Sequence, residues 1–586
     1  MAKSARKPGK WLILAIICGG VFISMMQNTT INLANPDIMK DFGASMTTVE
    51  WVLTANMLAY TSFIVLMGRL GDAVGRKKMF SLGLVGYMLG GFLAGIAPSI
   101  GFLIASSALQ GLGASAMMPA TTSLIAANFD KDERGGAMGA WGAVTGLAVV
   151  VGPLIGGALA KGGLGPALNA LIGVSQGWRY IFFLSAFLGL VVLAFTLAVI
   201  PESKDESIRF RFDPVGVLLS AASLFLLTFG LINGAKHYGW LYRNEPFAIG
   251  SFVLDLGKWS PTPIFLALAI VLGAIFVVRE GKKPTPLFDA ALFKDRNFTG
   301  GTIVTAVLQF AMMGTFFLMP FFLKSVLGLD SFKAGLAMIP MAIAVMAVSP
   351  LAGMLSDKIG AKWVIFVGML FMSFACFFIA RLSPATTLGS LVLPFVLLGI
   401  GIGLPMSPST SSALRDVPVE KVGGASGTLS MVRQIGAILG IALIATAFGT
   451  AMPGNMQKRV AAMTVPEARL ERKFDRVKAM MLDGMQGSGS EMSSDMSQYN
   501  DRLALFFPNQ ADADEVAGTI KTAVLSGMSD SMNDAFRYAA IAPLLGAFAA
   551  LFMGGKPGKK EDGEADGETD GEADGNVGPD PLAVQG

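Results

Sequence analysis

The sequence has almost none of the residues that catalytic sites and disulfide scaffolds rely on. Of 586 residues, two are cysteine and one is histidine. Cys18 and Cys376 each lie inside a long apolar run, which argues against a disulfide framework and a cysteine metal site. His237 alone gives no basis for histidine-centred acid–base chemistry or a histidine metal cluster. Charge is scarce as well: Asp, Glu, Lys and Arg make up 15% of the chain, against about 25% in a typical soluble protein. Net charge is only +4, and the basic residues are scattered between apolar runs, so nucleic acid is a poor partner. No glycine-rich phosphate loop of the GxxxxGK type is present to hold ATP, and no cofactor or metal is implied.

Apolar residues are abundant instead. They make up 53% of the chain, glycine occupies 71 further positions, and mean hydropathy is +0.60. A spanning helix needs roughly 20 apolar residues, and fourteen such stretches are legible. They lie near 11–34, 50–67, 79–97, 101–125, 136–160, 180–200, 214–233, 262–279, 301–323, 334–352, 363–381, 388–411, 424–451 and 534–553. The expected fold is an all-α polytopic membrane protein, with the lipid bilayer as its solvent. The first run is too long for a cleavable signal peptide and passes into the polar segment 27–35.

Lys and Arg set the expected orientation. With both ends on one side, the N-terminus, the loops on its side and the tail carry 25 of them, and the short opposite loops carry 9. Short loops decide topology, so both termini are expected in the cytoplasm and the protein in the cell (inner, cytoplasmic) membrane as a multi-pass chain.

An internal repeat shows how the bundle is assembled. The loop after span 2 carries Gly68, Asp72 and Gly75, and the loop after span 10 carries Gly353, Asp357 and Gly360. Gly135, Gly136 and Gly139 before span 5 match Gly423, Gly424 and Gly427 before span 13. The offsets are 285 (353 minus 68) and 288 (423 minus 135). The expected division is therefore a cytoplasmic N-terminus at 1–10, a six-helix half at 11–200, a linker with inserted spans 7 and 8 at 201–279, a second six-helix half at 301–553 and a disordered acidic tail at 554–586. Duplicated halves of this kind rock about a midplane site in gradient-driven transporters.

The second half contains an expected extracytoplasmic loop, 452–533. Within it Leu470, Phe474, Val477 and Met481 recur at helical spacing and line one face. The segment is read either as a cap packed on the outer bundle surface or as a platform for an extracytoplasmic partner.

Glycines 68 and 75 allow a tight turn and close backbone approach. Asp72 beside Arg69, Arg76 and Lys77 can accept bonds from a helix N-terminus or a guanidinium, and Asp357 repeats the acid in the second half. These residues are read as a conformational latch, with inward anchoring of the loop as the plainer alternative. In span 5, Gly142, Gly146 and Gly152 precede Pro153, Gly156 and Gly157; the glycines permit close helix packing and the proline a bend.

With these motifs in order, the chain resembles the major facilitator superfamily in its fourteen-helix drug/proton antiporter family, over roughly residues 10–450 and 530–553. The segments 51–55, 109–113, 177–182 and 432–436 also resemble family sequences. The resemblance implies a substrate-exporting antiporter that exchanges an amphipathic small molecule for protons, and it marks the span 5 glycines as an antiporter signature that seals against proton leak. Two positions depart from it. Relatives usually carry an acid where this chain has Gln27, and often an arginine where it has Ser107. Loss of both is electrostatically coherent, because removing one alone leaves an unpaired charge in the membrane.

What remains deep in the spans is Arg433, about nine residues into span 13, or roughly 14 Å. Its counter-charge is read as a carbonyl cluster, a latch residue such as Asp72, or an anionic substrate group. The expected cavity lining is Gln27, Asn28, Asn32, Asn56, Tyr60, Gln110, Gln309, Arg433 and Gln434. Asp37 and Glu50, near the outer mouth, are the candidates for proton coupling; His237, in the outer loop, is read as incidental. The leading expectation is proton-coupled multidrug-type efflux. The alternatives are an exporter or facilitator of neutral or anionic amphiphiles or lipids without a span 1 acid, and a non-transporting receptor built on loop 452–533. No span carries a catalytic constellation, so an enzyme is not expected.

Overall fold

The structure, a computed structural model, describes residues 9–554 except 45, 131–132, 161–175, 204–212, 235–237, 243–246, 250–251, 255, 284–285, 287, 330, 419–420, 465–470, 488–506 and 508. His237, Leu470 and the acidic tail lie outside the described residues.

In hydrocarbon every backbone N–H and C=O must be satisfied within the protein, which leaves the helix as the natural form for an apolar run. Among the described residues fourteen helices of 19 residues or more lie on the expected spans. They are α1 (Lys10–Phe42), α2 (Met46–Val74), α3 (Arg76–Gly95), α4 (Ile100–Asn128), α5 (Arg134–Ala160), α6 (Gly177–Val199) and α7 (Pro214–Asn233), then α8 (Thr262–Glu280), α9 (Arg296–Phe321), α10 (Ile339–Ile359), α11 (Ala361–Ile379), α12 (Leu388–Arg415), α13 (Val422–Ala461) and α14 (Gln510–Leu551). Thirteen of them are long and apolar enough to cross a membrane by their described residues; α5 is the fourteenth, a helix of 27 residues. Local chemistry fixes several starts. Asp213 accepts from Gly216 N at 3.1 Å and Asp295 from Phe298 N at 2.7 Å, satisfying donors that a helix start leaves free. Outside the bundle, Phe247–Ile249 and Phe252–Leu254 pair as a short antiparallel hairpin between α7 and α8.

The repeat read from sequence is also a repeat of packing. In one half α3 packs on α4, α2 on α4, α1 on α5 and α3 on α6; in the other α11 packs on α12, α10 on α12, α9 on α13 and α11 on α14. The halves meet along two matching seams, α2 against α13 and α10 against α5. The inserted α7 and α8 pack on each other, and α7 packs against α2 and α13. Trp240 Nε1 donates to Thr446 Oγ1 at 2.8 Å at one end of the insertion. At the other, Arg279 grips Asp213 with two bonds of 2.6 and 2.9 Å, and Lys283 joins them. This grip, Arg279 first, holds the Asp213 carboxyl well below the usual carboxylate range.

One boundary differs from expectation. The apolar runs of spans 13 and 14 end at 451 and begin at 534, but α13 continues to Ala461 and α14 begins at Gln510. Hydropathy marks where lipid contact stops, whereas a helix whose backbone is bonded internally continues where its side chains find partners. Here the partners are Arg459 with Asp530, at 2.6 and 3.1 Å, and Asn455 with Asp534 at 2.9 Å. The helix Glu471–Gly487 lays the expected face on these extensions, with Phe474 and Val477 buried and Met481 partly so. An open cleft of about 470 Å³ lies between the two extensions, lined by Arg459, Glu515, Thr519 and Thr522 among others.

Candidate functional site

Each seam is closed by glycine. A Cβ on Gly68 of α2 would lie 2.8 Å from Gly427 Cα and 2.9 Å from Gly423 O on α13. At the other seam a Cβ on Gly139 of α5 would lie 2.6 Å from Pro350 Cα, and one on Gly142 would lie 2.6 Å from Ser349 Oγ, both on α10. Gly146 meets Val345 of the same helix. Gly152 turns instead to α1, where Thr30 donates to its carbonyl at 2.9 Å. Pro153, Gly156 and Gly157 lie in the helical span of α5, and their surroundings fall outside the described residues.

The expected latch residues meet at the α2–α13 seam. The Asp72 carboxylate, fully buried, accepts from Gly423 N at 2.9 Å and Gly424 N at 2.8 Å, the free donors at the start of α13. Arg69 and Arg76 flank it at 3.8 and 3.7 Å. Gly75 has φ of 120°, a conformation that glycine tolerates and other residues resist; Gly360, its repeat partner, has φ of 92°. Lys77 donates to the Leu197 carbonyl at 3.0 Å and so ties α3 to α6. In the second half Asp357 sits against Gly135 at the start of α5, close enough that a Cβ there would strike the carboxylate.

The expected cavity residues divide into two groups. Gln27, Gln110 and Asn56 are buried within the first half. Gln27 Nε2 donates to Gln110 Oε1 at 2.6 Å, Tyr87 donates to Gln27 Oε1 at 2.9 Å, and Gln110 returns a bond to Gln27 at 3.2 Å. Asn56 donates to the Ser107 carbonyl at 3.0 Å. These amides therefore bond one another across α1, α3 and α4 or join α2 to α4, instead of facing open space. The side chains of Asn28 and Asn32 fall outside the described residues. Tyr60, Gln309, Arg433 and Gln434 are half-buried and form the second group together with residues that the sequence did not single out. Arg433 Nη2 donates to Thr410 Oγ1 of α12 at 3.1 Å, and its guanidinium carbon stands 5.0 Å from the centre of the Trp141 ring on α5. Tyr60 of α2 is near enough to interact with Arg433 electrostatically. Arg433 lies ten residues beyond Gly423 on α13, about 15 Å along the helix. Asp72, engaged at Gly423, is therefore not its counter-charge.

At the far end of the bundle Asp37 is exposed and Glu50 half-buried. A further acid there is Asp41, missed in sequence. It binds Gln176 at 3.3 Å, Trp178 at 3.2 Å and Arg179 at 3.4 Å, while Arg179 donates to Gly95 O and Ala97 O. Those bonds explain the Gly177–Phe182 segment as the tie between α6, α1 and α3. No group of three or more metal-ligating side chains occurs among the described residues.

The Major Facilitator Superfamily model matches residues 17–441. The chain belongs to that superfamily. A riboflavin transporter of Clostridioides difficile is 30% identical over 76% of this chain and 90% of its own length. The tetracenomycin C resistance and export protein of Streptomyces glaucescens is 26% identical over 92% of this chain and 91% of its own. Among solved structures, a bacterial homologue of the human lysosomal transporter Spinster, in an inward-facing, unoccupied conformation, superposes with a TM-score of 0.52 at 17% identity, over 93% of this chain and 98% of that one. This superfamily member is thus a multi-pass membrane transporter, and its paired seams are contacts between its two halves.

Proposed function

We propose that this transporter exports amphipathic small molecules by alternating access in exchange for protons, with both termini and the latch on the cytoplasmic side of the cell membrane. The observation that carries the reading is the pair of glycine-lined seams, closed by Asp72 on the start of α13 and by Asp357 against the start of α5. Contacts of this kind exist only in a state closed at that end, so opening must exchange them for something else, and a bound substrate or proton supplies the difference in free energy. Relatives named for riboflavin transport and for tetracenomycin C export support the substrate class. Coupling falls to acids at the outer mouth, Asp37 and Glu50, since Gln27 has no titratable proton. Substrate-dependent proton movement in proteoliposomes tests the reading; none across a broad amphiphile panel would refute antiport.

A second reading is favoured by the closed Gln27–Tyr87–Gln110 network. It is export or facilitation of neutral or anionic amphiphiles, lipids included, without coupling through α1. Transport that persists at full rate with no proton gradient would select it. Extracytoplasmic partners, on either reading, would dock on the helix Glu471–Gly487 and the extensions beneath it.

A further inference from the structure

We infer that Arg433 and Trp141 form an anion-selective subsite that takes an acidic oxygen carried on a flat ring system. The inference deepens the export reading and rests on it only for the direction of movement. Arg433 is contributed by α13 of one half and Trp141 by α5 of the other, with Thr410 of α12 and Tyr60 of α2 beside them. A guanidinium has five N–H donors, and the bond to Thr410 is the one hydrogen bond that it makes among the described residues. No carboxylate pairs with it there. The Trp141 indole N–H is equally unused: the residue is 3% exposed and the nitrogen has no acceptor among the described residues.

A cation in a membrane interior without a counter-ion is costly, and so is a buried N–H without an acceptor. One anionic oxygen entering between the halves would relieve both. The guanidinium offers charge and a planar fork, the indole N–H offers a second donor, and the half-buried ring of Tyr60 favours a ring that carries the acid. A cationic amphiphile would meet the same charge as repulsion. Because the donors come from opposite halves, an anion here bridges them, so its affinity must differ between the closed and open states of that contact.

The test uses the full-length protein in lipid nanodiscs and two dyes that share a xanthene ring system but carry opposite charge, fluorescein and rhodamine 6G, with binding read by fluorescence anisotropy. Fluorescein should bind about ten-fold more tightly or better. Arg433→Gln should erase that preference, weakening fluorescein and, with the repulsion removed, binding rhodamine 6G at least as tightly as wild type, while Arg433→Lys should keep most of it. Trp141→Phe retains a ring and loses the N–H, and should weaken fluorescein about three- to ten-fold. A wild-type preference for rhodamine 6G would overturn the inference. So would fluorescein affinity unchanged in a thermally stable Arg433→Gln, or, should that variant not fold, unchanged in Trp141→Phe. Loss of substrate-dependent proton movement with the fluorescein preference intact would count against antiport alone.

Discussion

The two seams between the halves are built on one backbone plan but differ in charge. At the first, Asp72 is sealed from solvent, bonded to two backbone amides and flanked by Arg69 and Arg76. At the second, Asp357 is exposed, and the positions 285 residues after Arg69 and Arg76 are Met354 and Ala361. The glycine contacts are present at both, since Gly68 meets Gly423 and Gly353 meets Gly135. Duplication has therefore preserved the steric fit of both seams, while the two arginines that flank the acid at the first have no counterparts at the matching positions of the second. Both seams should be equally sensitive to bulk, and the first far more sensitive to loss of charge.

The largest effect should come from bulk. Gly68→Val and Gly139→Val each put side-chain atoms where opposing backbone stands under 3 Å from the first of them, and backbone within a packed helix yields poorly. Each should cost the closed state about 3 kcal/mol and lower transport about ten-fold or more. Transport in proteoliposomes, together with labelling of a cysteine placed at the latch end, measures both. A variant at one seam that leaves both readouts unchanged would break the steric equivalence.

Charge should then separate the seams. Asp72→Asn turns one of the two acceptor oxygens into a donor facing a backbone N–H and removes the charge partner of two arginines in a buried setting, and should destabilise the closed state by about 1.5–3 kcal/mol. Asp357→Asn, at an exposed position, should cost about 0.5 kcal/mol or less. Latch-end cysteine accessibility reads the difference, and equal effects would show that the second seam is as electrostatic as the first.

Much of this arrangement was legible from sequence because it depends on period and spacing. Every apolar run became a helix, and the 285 and 288 offsets brought Gly68 to Gly423 and Gly353 to Gly135 across the seams. Asp72 was readable as an acid able to accept from a helix start or an arginine, but which helix start, Gly423 and Gly424 some 350 residues on, was not legible. The cavity was read less well. A helix polar or apolar on every side does not announce which face it buries, so Gln27 and Gln110 looked like lining until Tyr87, on a third helix, joined them. Trp141 was not singled out, because its contact is with Arg433, almost 300 residues away in the other half. The ends of α13 and α14 were misjudged because paired polar residues extend a helix beyond its apolar run.

The inserted pair α7–α8 supplies the smallest effect and a control on both seams. It has no counterpart in the repeat, and the Asp213 grip fastens its two helices together near the latch end without entering either seam. Because the folded carboxyl titrates below its ordinary value, while an unfolded aspartate has a pKa near 3.9, its contribution to stability is complete above that unfolded value. It is lost as pH falls below about 4 toward the folded pKa. Thermal unfolding followed from pH 7 to pH 3 should thus show an acid limb that flattens in Asp213→Asn, with a slightly lower melting temperature at pH 7 and unchanged latch-end accessibility. An acid limb identical to wild type would remove Asp213 from that limb. A change in accessibility would mean instead that the insertion acts on the α2–α13 seam it packs against, and the two seams would then differ by a third helix contact as well as by charge.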